Sequence, residues 1–185
     1  MRIIAGEYRS RVIKAVEGTN TRPTTDKIKE AIFSRIGPYF KGGVMLDLFA
    51  GSGAMGLEGI SRGIEYCYFA DVNGTAIRTI YDNVRTLKVE EQCTVWKMDF
   101  IQVLRKCMSL DLKFDLIYID PPYKKQENHL ILETIHAFQL LNKDGIVIVE
   151  SLREDQFAES YGSIHKEKEA VYGITKITYY RKDDE

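Results

Sequence analysis

The stretch Asp47-Leu-Phe-Ala-Gly51-Ser-Gly53-Ala-Met-Gly56 decides how this chain folds. The apolar run Val44–Phe49 reads as a buried strand, and Ala54–Arg62 reads as the helix that follows it. Gly51, Gly53 and Gly56 match G-x-G-x-x-G, the strand-to-helix turn that lets a backbone approach a bound nucleotide. An acid about 20 residues further on suits such a turn, because it can bind ribose hydroxyls. Asp71 stands 20 residues after Gly51, at the end of the next apolar run, Tyr66–Ala70.

Outward from this turn the pattern alternates. Strands are expected at Thr94–Met98, Phe114–Ile119 and Ile146–Val149. Helices are expected at Asn73–Leu87, Phe100–Met108 and His129–Leu141. Short apolar runs of this kind point to a parallel sheet covered by helices on both faces. The tail differs, because Ile164–Tyr172 and Ile174–Tyr180 meet at Gly173 with no helix between them. The expected fold is therefore α/β, a mostly parallel seven-stranded sheet closed by an antiparallel C-terminal hairpin. At the other end, residues 2–16 alternate loosely around Gly6 as a small β-hairpin would. Thr24 or Thr25 can cap a helix that runs to Ile36 and stops at Gly37-Pro38. The expected division is an N-terminal extension, residues 1–41, and a main domain, residues 42–185.

Charge separates the same two parts. Residues 1–41 hold nine Lys/Arg and four acids, net +5, whereas the rest carries net −6 within a total of −1. A basic arm on an acidic body suits a polyanion, with Arg9, Arg11 and Arg22 as its foremost contacts. With 44% hydrophobic and 29% charged residues, the composition excludes a disordered or fibrous chain. Cys67, Cys93 and Cys107 are odd in number and lack C-x-x-C spacing, and the three histidines are well separated, so no metal site is expected. No run is apolar enough to span a bilayer, and the first residues do not form a secretory signal; a cytoplasmic protein with reduced thiols is expected.

Asp47 argues against a dinucleotide at the glycine turn. A carboxylate at this strand end repels a pyrophosphate and attracts an ammonium group, as carried by the amino-acid part of S-adenosylmethionine. Asp47, Asp71 and Asp99 end three successive strands, the edge at which ligands bind in such sheets. The fourth strand ends in Asp120-Pro121-Pro122-Tyr123. Its prolines stiffen the chain, and Pro121 keeps Asp120 extended. Asp120 and the Pro121 carbonyl can accept the two hydrogens of an exocyclic amine, while Tyr123 stacks on the base that carries it. Such acceptors orient a weakly nucleophilic aromatic amine and stabilise the positive charge that grows as it attacks a methyl group.

Asp47–Gly53, Asp71, Asp99 and Asp120–Tyr123 together resemble the Rossmann-like class I S-adenosylmethionine-dependent methyltransferases that act on amino groups of bases. Met1–Gly6, Arg22–Ala31, Asp47–Gly53 and Val149-Glu-Ser151 narrow the likeness to the bacterial RsmD family, guanine-N2 methyltransferases of 16S ribosomal RNA. The resemblance implies that Asp47, Gly51 and Gly53 line the methionine part of the cofactor. It implies Asp71 at the ribose, and Asp99 with the Phe100 amide at the adenine. Asp120, Pro121, Pro122 and Tyr123 would hold the target guanine. Arg9, Arg11, Arg22 and Thr24 would meet RNA, in a partly assembled small subunit. It further implies a monomer that needs no metal and releases S-adenosylhomocysteine. Three other functions compete. An adenine-N6 methyltransferase of DNA or RNA shares the Asp-Pro-Pro-Tyr chemistry, but about 40 residues outside the sheet are few for a sequence reader. An NAD-dependent oxidoreductase leaves residues 120–123 unexplained, and a non-catalytic RNA-binding module leaves both acidic loops idle.

Overall fold

A computed structural model of the chain describes residues 1–18, 25–122 and 125–183. Arg22, Thr24, Tyr123 and Lys124 lie outside the described residues. The first helix, α1, spans Asp26–Ile36, with Thr25 as the capping residue; its Oγ1 accepts from the Ile28 amide at 3.2 Å. The alternation follows as β1 (Val44–Asp47), α2 (Ala54–Ser61), β2 (Tyr66–Asp71), α3 (Gly74–Leu87), β3 (Cys93–Lys97), α4 (Phe100–Ser109), β4 (Phe114–Ile119) and α5 (Lys125–Ala137). The sheet is completed by β5 (Leu141–Leu152), β6 (Ser160–Tyr161), β7 (Ile164–Tyr172) and β8 (Thr175–Lys182).

These strands form one sheet in the order β3-β2-β1-β4-β5-β8-β7-β6. Strands β3 through β5 are parallel, and β8, β7 and β6 are antiparallel. The eighth strand, β6, is only two residues long and pairs with β7 at Ser160 and Tyr161. Strand β5 outruns its apolar core in both directions: Leu141 pairs with Phe114 of β4, and the far half pairs with β8 as far as Leu152. Chain order reverses at β1, which lies between β2 and β4. The carboxyl end of β1 is thus the switch point where a ligand crevice is expected.

Two apolar layers hold the sheet. One contains Ile32 and Phe33 of α1, Leu57 of α2 and Ile80 and Val84 of α3, packed on Met45, Phe69, Tyr118 and Ile148. The other packs α4 and α5 on the opposite face through residues such as Val103, Leu104, Ile131 and Ile135. The N-terminal extension shares the first of these cores: Ile3 and Ile13 are 0% and 3% exposed and belong to it. The segment has hairpin form, with one bridge between Arg2 and Val12 and cross-bonds from the Ile3 amide to Arg11 and the Ser10 amide to Ile3. Its tip meets the end of α2, where Glu7 and Tyr8 donate their amides to the carbonyl and hydroxyl of Ser61. Gly6 is required there: a Cβ would stand 1.9 Å from the Ser61 carbonyl oxygen.

A buried ionic network joins the extension to the body. Glu58 of α2 is fully buried and accepts from the amides of Ile4 and Ala5 at 2.9 and 3.1 Å. It also meets Arg62 Nε at 2.8 Å and Lys29 Nζ at 3.4 Å. Lys29 donates to the Arg2 carbonyl, and Arg62 reaches Glu30 at 2.9 Å. One of the nine cations counted in residues 1–41 is therefore no surface charge: Lys29 is 2% exposed.

Candidate active site

The glycine turn is built for close approach on both sides. Gly51 and Gly53 have φ of +56° and +84°, a region costly for residues with a Cβ. A Cβ at Gly51 would meet nothing within 4 Å, so this side of the loop faces open space. At Gly56 a Cβ would lie 2.3 Å from Phe69 and 2.7 Å from the Cys67 sulfur, so this glycine lets α2 press onto β2.

Asp47, Asp71, Asp120 and Glu150 arrive together by strand geometry. Met45, Phe69, Tyr118 and Ile148 all belong to the core beneath α1, α2 and α3. Side chains two residues further along their strands emerge on the same face. Asp47 is 1% exposed, and its Oδ2 accepts from the Gly56 amide at 3.0 Å, in the first turn of α2. Burial, reinforced by Asp71, pushes its carboxyl up to about 7 against the single stabilising Gly56 bond. Asp71 accepts on both oxygens, from the Gly51 and Asn73 amides at 2.9 Å each. It thereby holds the glycine loop, and two of its roughly four acceptor positions remain for a ligand. Asp99 is exposed at the α4 start, in a capping box with Gln102 (2.9 and 3.3 Å). Phe100 opens α4, and its ring lies 5.9 Å from that of Phe49 on the glycine turn.

Asp120 follows β4 directly. Ile119 pairs with Val149, so the next residues, Asp120 and Glu150, are lateral neighbours. Glu150 accepts from the Tyr118 hydroxyl at 2.9 Å. Burial first, then Glu150 and Asp47, raises the Asp120 carboxyl well above the carboxylate range. Pro121 is buried and Pro122 exposed. Glu150 had no role in the sequence-based expectation. Its signal is the one that marks the aspartates, an acid just beyond a buried apolar strand.

Arg9 and Arg11 do not converge on this edge. Arg9 and Arg11 are exposed on the hairpin, and Arg11 Nη2 donates to the Thr86 carbonyl near the end of α3. The tip lies at Ser61, the last residue of α2, about 12 Å along that helix from the glycine turn. His129 bonds Tyr161 at 2.6 Å, and His136 accepts from the Ser163 amide. Among the described residues no group of three or more His, Cys, Asp or Glu could hold a metal ion, and no helix is long and apolar enough to cross a membrane.

A family model described as "Conserved hypothetical protein 95" matches residues 1–181, and YlbH of Bacillus subtilis is 43% identical over 182 residues, 98% of this chain and 99% of that protein. The chain belongs to the RsmD family. Another relative, ribosomal RNA small subunit methyltransferase D of Escherichia coli, is 29% identical over 188 residues, 99% of this chain and 90% of that protein. Among solved structures, a conserved hypothetical protein of Streptococcus pyogenes is 35% identical with a TM-score of 0.76, over 84% of this chain and 95% of that one. The yhhF protein of Escherichia coli, 24% identical, shares the fold end to end: TM-score 0.86, over 100% and 99% of the two chains. This RsmD-family chain is thus a methyltransferase with the class I fold.

Proposed function

We propose that this protein transfers a methyl group from S-adenosylmethionine to the exocyclic N2 amine of a guanine in 16S ribosomal RNA. The observation that carries the proposal is the placement of Asp120 beside Glu150, on the same sheet face as Asp47 and the open side of Gly51. Relatives from Haemophilus influenzae and Escherichia coli bear the name ribosomal RNA small subunit methyltransferase D, which supports this substrate class. A ribosomal substrate implies a cytoplasmic enzyme, and residues 1–41 would serve as its RNA-binding extension.

The residues suit the cofactor. Asp47 would face the ammonium group, Gly51 and Gly53 the amino-acid part, Asp71 the ribose, and Asp99 with the Phe100 amide the adenine. When bound, the cofactor supplies a methyl group on a positively charged sulfur, an electrophile that needs no metal. Asp120 and the Pro121 carbonyl accept the two amine hydrogens and aim the nitrogen lone pair. The nitrogen sheds a proton as it gains the methyl group. Asp120, in its ionised form, would take it, with Glu150 beside it on the neighbouring strand. Pro122 and Tyr123 complete the pocket for the base.

The test is mass spectrometry of small-subunit RNA methylated in vitro with isotopically labelled cofactor. The expected product is N2-methylguanine at one site. Label on adenine N6, or on DNA alone, would replace this substrate with another amine. Arg9 and Arg11 replaced together by Ala should lower the slope of log affinity against log salt by about 1.4–1.8, two phosphate contacts' share. An unchanged slope would remove the hairpin from the RNA surface.

A further inference from the structure

Asn83 occupies a position that its residue type does not favour. It lies in the middle of α3, where asparagine is a poor helix former, and it is fully buried. Every hydrogen-bonding group of its amide is engaged outside the helix. The oxygen accepts from the Lys14 amide at 2.7 Å. The nitrogen donates to the Lys14 carbonyl at 3.0 Å and to the Ser52 carbonyl at 2.9 Å. Ser52 stands between the two positive-φ glycines of the cofactor loop, and Lys14 closes the hairpin of the N-terminal extension. One side chain therefore pins two segments that lie 38 residues apart in sequence. The contact is reinforced on either side. The Ser52 hydroxyl lies 3.8 Å from the Met1 sulfur, and Lys14 Nζ lies 3.4 Å from Asp82. The open end of the hairpin thus rests on the glycine loop, while its tip rests on Ser61.

We propose that Asn83 is a positioning residue that couples the glycine loop to the N-terminal extension, so that cofactor and RNA favour each other's binding. This rests on the function proposed above. A ligand that orders Gly51–Gly53 fixes the Ser52 carbonyl and, through the shared amide, the backbone of Lys14. Rigidifying one partner lowers the entropic cost of ordering the other, and thermodynamic linkage makes the effect mutual.

The experiment is amide hydrogen exchange at Lys14 and its hairpin neighbours, with and without S-adenosylhomocysteine, whose binding is followed by calorimetry in the same samples. In the native protein, bound ligand should slow exchange at Lys14 by about fivefold or more, the lower range of allosteric couplings. In Asn83→Ala the ligand should still bind, but the slowing should vanish. Ser61→Ala serves as the control. It loosens the far end of the same hairpin without touching the loop, and should keep the slowing. The native measurement stands alone should Asn83→Ala fail to fold: unchanged exchange at Lys14 with ligand bound overturns the coupling. Slowing that persists in Asn83→Ala overturns it as well. A native protein that binds no S-adenosylhomocysteine would instead sink the proposed function, and the coupling with it.

Discussion

The four strand-end aspartates fall into two pairs that differ in how they are solvated. Asp71 and Asp99 are at least partly exposed and accept from backbone amides, Asp71 from the Gly51 loop and from its own turn, Asp99 from the first turn of α4. Asp47 and Asp120 form the drier pair: Asp47 is buried, Asp120 is partly buried beside Glu150, and burial raises both carboxyls. The same residue type at the same kind of strand end thus serves two purposes. The wet pair spends oxygens on shaping loops, and under the proposed function its remaining lone pairs would meet neutral hydroxyls and amines. Burial favours the neutral form of the dry pair, so an ionised carboxylate there calls for a cationic group or a proton to offset it, and under the proposed function the chemical step falls on its side.

Asp120→Asn offers the strongest way to break this comparison. Loss of a transition-state acceptor should lower methyl transfer by about 10²–10³-fold, with cofactor affinity nearly unchanged. Near-normal single-turnover rates would move the chemistry away from the dry pair. The next largest effect is pH-dependent and belongs to Asp47. Its carboxyl titrates near 7 in the folded protein against about 3.9 when unfolded, so the folded state binds the extra proton between those values. Stability contributed by this group must therefore fall as pH rises from about 4 to 7, by a few kcal/mol at most, and level off above. Urea unfolding across that range should show the slope in the native protein and a shallower one in Asp47→Asn. Because an ammonium group prefers the ionised form, cofactor affinity should rise over the same range and lose that dependence in Asp47→Asn. Equal slopes in both proteins would mean that Asp47 does not titrate as its burial implies.

On the wet side, Asp71→Ala should weaken cofactor binding by about 1.5–3 kcal/mol, the range for hydrogen bonds to a charged group. Unaltered affinity would leave Asp71 a loop brace alone. The smallest effect is expected at Asp99. Removing the cap with Asp99→Ala should cost about 1 kcal/mol of stability, and Asp99→Ser should restore most of it. If cofactor affinity returns along with the cap in Asp99→Ser, the carboxylate makes no separate contact with the adenine.

Much of this arrangement is legible in the sequence because strands buried on both faces are written as short, mostly apolar runs. Tyr66–Ala70 and Phe114–Ile119 fall within a residue of β2 and β4. The ends of β5 are not legible, since pairing with β8 rather than apolar character extends it to Leu152. Strand β6 is too short for any pattern. The buried ionic network was hidden for a different reason. Lys29, Glu58 and Arg62 each look like ordinary solvated charge, and only the packing of α1 on α2 brings them together out of water. Helix α5 begins four residues before His129, in a stretch whose polar residues show no apolar stripe. Glu150 was readable by the strand-end logic that singled out the aspartates, but its partnership with Asp120 depends on a register that only the sheet reveals.

The docking of the hairpin has a consequence for how the molecule is made. Residues 1–14 are synthesised early, yet the groups that hold them are Glu58, Ser61 and Asn83. At about 5–20 residues per second, the ribosome needs on the order of 3–14 s to add the 69 residues between Lys14 and Asn83. Through that interval Ile3 and Ile13 have no finished core to enter, and the most basic part of the chain remains undocked beside the machine that makes it.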